Sequence, residues 1–195
     1  LATAPPLILA STSRYRRALL ERLQLRFEAV APGVDESYLA GEVPAQRARR
    51  LALAKARAVA QRRPEAAIIG SDQVAMCGGT ILDKPGDAAR CRDQLLTLAG
   101  REAHFITAVA VLCAARGFID EFCDTTVVRF RALEAAEVAR YVEHDRPWDC
   151  AGGFRAESLG VALFEYIEST DPTGLVGLPL IRLAAALRAL GHAVP

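Results

Sequence analysis

The chain has 195 residues, 52% of them apolar, which suits one domain or two closely joined lobes with a sizeable core. Its formal net charge is +1, so no global charge directs it to a nucleic acid or a membrane surface, and any attraction for anions must come from local clusters. Five cysteines at 77, 91, 113, 123 and 150 form no CxxC pair and the three histidines are scattered, which argues against a zinc site or a disulfide framework and for free thiols in a reducing cytoplasm.

No apolar run approaches the roughly 18 residues of a membrane span. The N-terminal run reaches Ser11 too soon to read as a signal peptide. Leu7–Ala10 reads as a buried strand and Arg14–Leu23 as a helix, with Ser13 its N-cap. Arg26–Val30 reads as a second strand. Pro44 introduces a long helix from about Ala45 to Gln61, which Pro64 stops. Ala66–Gly70 reads as a buried strand ending at Gly70, and Cys77–Gly79 as a hairpin turn. Asp87 caps a helix that ends near Gly100. Phe105–Leu112 and Phe118–Phe130 read as long paired strands, Leu133–Glu143 as a helix and Val161–Ile167 as another strand. Pro179–Leu190 is a last amphipathic helix, with proline at its start and Gly191 at its end. Apolar runs alternating with helical patterns argue for an α/β fold, a mixed sheet with helices on both sides.

Several short stretches carry chemistry. In "ASTSRYRR", Ser11, Thr12 and Ser13 stand where a strand hands over to a helix, and backbone N–H groups at such a point favour an anion. Arg16 and Arg17 add fork-shaped donors suited to phosphate oxygens, although a solvated helix start explains them equally well. The segment is not a P-loop, since GxxxxGK[ST] is absent. In "GSDQVA", Asp72 follows a buried strand and so should emerge at the sheet's edge, to hold a metal or accept a proton from water; alone it reads as a turn aspartate. Lys84 in "DKPG" is extended and exposed. Lys55 in "RLALAKARA" shares a stripe with Leu51, and either snorkels or reaches toward a phosphate. Asp35 and Glu36 in "VDES" are solvated, or open to a hard cation such as Mg²⁺. Each signal is weak alone. Together they suit a metal-assisted reaction of a phosphoanhydride.

The segments "LILASTSRYRRALLERL", "VDES", "LALAKA", "GSDQVA", "LDKPGD" and "GLPLIRL" resemble, in order and over nearly the whole chain, the Maf family of nucleotide pyrophosphatases. The resemblance implies a single Maf-like domain over residues 1–195. It would be an elongated α/β fold related to inosine triphosphate pyrophosphatases, with a cleft between two lobes. It implies hydrolysis of a nucleoside triphosphate to the monophosphate and pyrophosphate, with Mg²⁺ or Mn²⁺. Asp149–Ile181 resembles the branch acting on 7-methyl-GTP. The branch acting on dTTP and UTP typically has other residues in place of Tyr15, Gln73 and Glu157.

By the same resemblance, Asp72 matches the proton acceptor and Glu36 the cleft carboxylate, the two metal candidates. Ser13, Arg16, Lys55 and Lys84 match phosphate-handling positions, to which the reading of the residues adds Ser11 and Arg17. Tyr15, Gln73 and Glu157 match the positions that separate substrate classes. Arg14 departs from the proline usual in the family, whose ring would pre-set the first helical turn. For the base, Glu157 would accept from guanine N1–H and NH₂, and Tyr15 would stack on the ring that N7-methylation makes cationic. Trp148 is a second stacking candidate or a packing anchor. The expected partner is a nucleoside triphosphate, with no polymeric nucleic acid and no membrane; a homodimer is left open. The rival readings are the same chemistry on dTTP or UTP, and a nucleotide-binding regulator of cell division without turnover.

Overall fold

The computed structural model describes residues 3–195. In chain order these form β1 (Leu7–Leu9), α1 (Arg14–Glu21), β2 (Glu28–Ala29), α2 (Pro44–Ala60), β3 (Ala67–Cys77) and β4 (Thr80–Leu82). There follow α3 (Ala88–Leu98), β5 (Glu102–Cys113), β6 (Phe118–Phe130), α4 (Ala135–Asp145), β7 (Phe164–Glu168) and α5 (Leu180–Ala189). The strands form one mixed sheet in the order β2-β1-β3-β5-β6-β7, with β4 paired to β3. β1 runs parallel to β2 and β3, while the β3–β4 and β6–β7 pairs are antiparallel.

By contacts the chain divides into two compact units. The first holds the chain up to Gln73, Thr107–Asp124 and Asp171–Pro195; the second holds Val74–Ile106 and Thr125–Thr170. In the first, the side-chain alternation of a strand sends residues to two separate cores. Leu7, Leu9, Ile69, Val109 and Val111 pack with Leu19 and Leu20 of α1 and Leu183 and Leu187 of α5. Ile8, Ala10, Ile68, Ala110 and Leu112 pack with Ala56 and Val59 of α2. Helices therefore cover both faces, which is why these strands read as continuous apolar runs. In the second unit, Phe105, Phe130, Phe154 and Phe164 meet edge to face at centroid distances of 4.9–5.5 Å, and α3 packs on α4.

Local signals place most ends. Ser13 caps α1, its side chain accepting from Arg16 N; Asp87 caps α3 through Arg90 N; Pro44 opens α2. Gly78 and Gly79, both with positive φ, form the two-residue turn between β3 and β4, where the strand twist favours such a turn.

Two expectations are corrected. β3 does not end at Gly70 but continues to Cys77, so Asp72 lies inside a strand and not beyond its end. Gly70 is there for close approach: a Cβ on it would sit 2.2 Å from Ala52 O and 2.7 Å from Ala56 N of α2. The last strand starts at Phe164 rather than Val161, because Leu159–Leu163 forms a 3-10 turn. Gly160 makes that turn possible, since a Cβ there would meet Arg155 O at 2.4 Å. Val161 remains 56% exposed, so the apolar run it belongs to is not a buried strand.

Candidate active site

The first unit gathers opposite charges around one nitrogen. Asp72 on β3 and Lys55 on α2 are both buried, at 7% and 5% exposure. Lys55 Nζ lies 2.7 Å from Asp72 Oδ1 and 2.7 Å from Glu36 Oε1. The backbone approach at Gly70 is what brings α2 close enough for this, so Lys55 does not snorkel to solvent. β1 pairs with Ala67–Ile69 and β4 with Ala75–Cys77, and Asp72 lies on the stretch between them.

Glu36 sits on a loop fixed by arginines of α2. Arg47 Nη2 donates to Glu36 O at 2.6 Å and Nη1 to Ser37 O at 3.2 Å, and its guanidinium lies 3.6 Å from the Tyr38 ring centroid. Arg50 holds both Glu42 oxygens, at 2.5 and 2.8 Å, and reaches Ser37 O at 3.1 Å. Asp35 Oδ1 accepts from Ser37 Oγ and N, and these bonds hold its carboxyl below the usual range. Arg47 and Arg50 escaped the sequence reading, because "RARR" on a helix looks like a solvated face; burial of Arg47 is the feature that marks it.

At the start of α1 the serines cap the backbone: Ser13 N donates to Ser11 Oγ at 3.1 Å, and Arg16 N to Ser13 Oγ at 3.3 Å. Arg16 Nε donates to Gly177 O at 3.0 Å. Burial pulls its guanidinium below the usual range, while Asp72 and Glu36 pull it back up. Arginine keeps its proton under that opposition, so Arg16 is a fixed cation in the field of the two carboxylates. Arg17 is not gathered with them; its Nε meets Glu21 at 3.3 Å on an exposed helix face. Tyr15 carries the Arg14 guanidinium 4.8 Å from its ring centroid, and Arg14 Nη2 donates to its hydroxyl at 2.7 Å. Gln73 turns inward, its Nε2 2.8 Å from Thr107 Oγ1.

The second unit holds Lys84 and Glu157, both exposed. The Lys84 loop is fixed on each side: Gln94 Nε2 donates to Asp83 O at 3.1 Å, and Gly86 N to Trp148 O at 2.9 Å. Glu157 Oε1 lies 3.5 Å from Arg155 Nε. Its loop is anchored by Arg155 N donating to Tyr141 OH at 3.0 Å and Ser158 Oγ donating to Asp145 Oδ1 at 2.9 Å. Burial pushes the Tyr141 hydroxyl far above its ordinary range, which keeps this anchor neutral. Among the described residues no three His, Cys, Asp or Glu side chains converge as a metal site, and no helix is long and apolar enough to cross a membrane.

A mixed α/β sheet thus carries a buried aspartate–lysine pair, a second carboxylate and a fixed arginine in one place. Residues 6–190 match the family described as Maf-like protein. The chain is 50% identical to a 7-methyl-GTP pyrophosphatase of Polaromonas sp. over 98% of this chain and 88% of that protein. It is 51% identical to one of Aromatoleum aromaticum over 97% of each, and 49% identical to one of Pseudomonas aeruginosa over 98% of this chain and all of that protein. The chain belongs to the Maf family.

Proposed function

We propose that the protein is a nucleoside triphosphate pyrophosphatase that hydrolyses 7-methyl-GTP to 7-methyl-GMP and pyrophosphate. The observation that carries the chemistry is the single ammonium shared by Asp72 and Glu36, with Arg16 in their field. The names of the relatives support the substrate.

Asp72 accepts the proton of a water whose oxygen attacks the α-phosphorus. The α–β anhydride bond breaks, and pyrophosphate leaves with the bonding electrons. Arg16, Lys55 and Lys84 hold the charge that grows on the leaving oxygens. The hydroxyls of Ser11 and Ser13 and the first N–H groups of α1 steady the phosphates. Two carboxylates that approach a common nitrogen also fit a hard divalent cation, which takes one or two carboxylates and completes its shell from phosphate and water. Asp72 and Glu36 would hold Mg²⁺ or Mn²⁺, and the ion would neutralise the polyphosphate. Glu157 accepts from N1–H and the exocyclic amine of the base, an arrangement that the positive charge of N7-methylguanine strengthens. Five free cysteines suit a reducing cytoplasm.

The test is pyrophosphate release across 7-methyl-GTP, GTP, dTTP and UTP, with Mg²⁺, Mn²⁺ or a chelator. The expected result is metal-dependent release, fastest with 7-methyl-GTP. No release from any nucleotide would remove the enzymatic reading; preference for dTTP or UTP would remove the substrate. Glu157→Gln should lower kcat/KM for 7-methyl-GTP by roughly ten- to a hundredfold, since a donor then faces a donor on the base. Its effect on UTP should be much smaller. Equal losses on all nucleotides would assign Glu157 to the phosphates or the fold.

A further inference from the structure

Ser71 and Gln73 leave β3 on one face and Asp72 on the other, as strand alternation requires. The two face the loop of residues 171–178. Gln73 Nε2 lies 2.8 Å from Thr107 Oγ1, 3.0 Å from Leu175 O and 3.2 Å from Gly174 O. The amide is oriented by this network, since its oxygen turned that way would face two carbonyls. An amide nitrogen has two hydrogens, and three oxygens already compete for them. The donor end of Gln73 is therefore committed to the protein and not to a base. Thr107 Oγ1 adds its own bond to Gly174 O, at 2.9 Å.

Three residues further on, Gly177 O accepts from Ser71 Oγ at 3.0 Å and from Arg16 Nε at 3.0 Å. Nε is the inner corner of the guanidinium fork, so this bond sets the plane in which the two terminal nitrogens point. The loop needs its glycines to lie this close. A Cβ on Gly174 would sit 2.3 Å from Asp124 Oδ2, and Gly177 has φ +115° with its Cβ direction 3.4 Å from Arg16 Nε. At its far end, Asp171 and Thr173 pin the loop to α5, accepting from Ile181 N at 2.7 Å and Leu180 N at 2.8 Å.

We propose that Gln73, together with Thr107, is a positioning residue for Arg16: it latches the 171–178 loop, whose Gly177 carbonyl aims the guanidinium at the phosphates. Gln73 thus governs the grip on the polyphosphate, its donor end held by the protein and not by a base. This rests on the reading that Arg16 handles phosphate.

Inorganic pyrophosphate has phosphates and no base, so it separates the two roles. Its binding is measured by calorimetry with Mg²⁺ for the wild type, Gln73→Leu, Thr107→Val, Arg16→Ala and the Gln73→Leu/Arg16→Ala double variant. Gln73→Leu and Thr107→Val should each weaken it about tenfold, the cost of a lost hydrogen bond in a closed site. The same factor should appear in kcat/KM for every nucleoside triphosphate. The double variant should lose no more than Arg16→Ala, since a latch matters only through what it aims. Thr107→Ser, which keeps the hydroxyl, should bind like wild type. Should Gln73→Leu fail to fold in a thermal melt, Thr107→Val carries the same comparison. Unchanged pyrophosphate binding in the latch variants, or losses that add to those of Arg16→Ala, would overturn the proposal alone. Unchanged binding in Arg16→Ala would overturn the reading of Arg16 and the proposal with it.

Discussion

At the level of single residues, Lys55 is the point where stability and chemistry meet. Its ammonium has left water for two carboxylates, one buried and one, Glu36, still 54% exposed at the side chain. Removing one member of a buried ionic group leaves the others uncompensated, at a cost of about 3–5 kcal/mol where all are dry. Because Glu36 meets solvent, Lys55→Met should cost about 2 kcal/mol in denaturant unfolding, and turnover should fall as well. Lost stability with unchanged kinetics would make Lys55 a scaffold only. Asp72→Asn keeps the shape but takes no proton, so kcat should drop by at least about 10²-fold; it also leaves the buried Lys55 ammonium with Glu36 alone, so the melt should fall as well. A kcat close to wild type would remove Asp72 as the base. Cys91 makes the opposite case, a reactive group kept inert. Burial pushes its thiol up to about 11, and Sγ lies 3.3 Å from Gly153 O. Native protein at neutral pH should therefore resist iodoacetamide at Cys91, with labelling by mass spectrometry only after denaturation.

Among elements, the contact of β3 with α2 decides the site. Gly70→Ala would drive a methyl into the backbone of Ala52 and Ala56. Helix and strand are both tied into the core, so the strain has little outlet. The cost should be about 1–3 kcal/mol by the usual penalty for overpacking. The same substitution should lower kcat, because α2 carries Lys55 and Arg47 as it retreats. A stable, fully active Gly70→Ala would mean that the helix position is not critical. α5 shows a second kind of dependence. Pro179 precedes it and offers no side-chain cap, so its first N–H groups are met by Asp171 and Thr173 from earlier in the chain. Asp171→Ala should cost about 1–2 kcal/mol, as for other cap deletions, read as a lower denaturation midpoint. The cap motif was invisible along the sequence, because its members lie seven and ten residues from the N–H groups that they serve.

For the molecule as a whole, charge pairing sets how it meets acid. Asp35, Glu42, Glu65 and Glu137 are each held below their ordinary values by hydrogen bonds from Ser37, Arg50, Arg63 and Arg131. Such groups bind protons more readily in the unfolded chain, so their contribution is full above the ordinary carboxyl values of 3.8 and 4.5 and is lost as pH falls through the lowered native ones. Burial and Arg116 likewise hold His192 below its ordinary 6.5, so stability slips first as pH drops beneath that value. A melting profile should decline gently below 6.5, and more steeply below 4.5. His192→Gln should remove the first slope and leave the second. The sequence alone determined the elements whose signals are local: Ser13 and Asp87 as caps, the Gly78–Gly79 turn, the buried strand start at Leu7, and the ordered motifs that carry the resemblance to the Maf family. It named Asp72, Lys55, Glu36 and Arg16 as separate weak signals. Only the tertiary structure decided that one nitrogen joins Lys55 to two carboxylates, that β3 runs on past Gly70, and that Gln73 faces a loop a hundred residues away. Caps and turns are settled by neighbours within a few residues, whereas burial, ion pairs and backbone approach belong to segments that meet only when the chain folds.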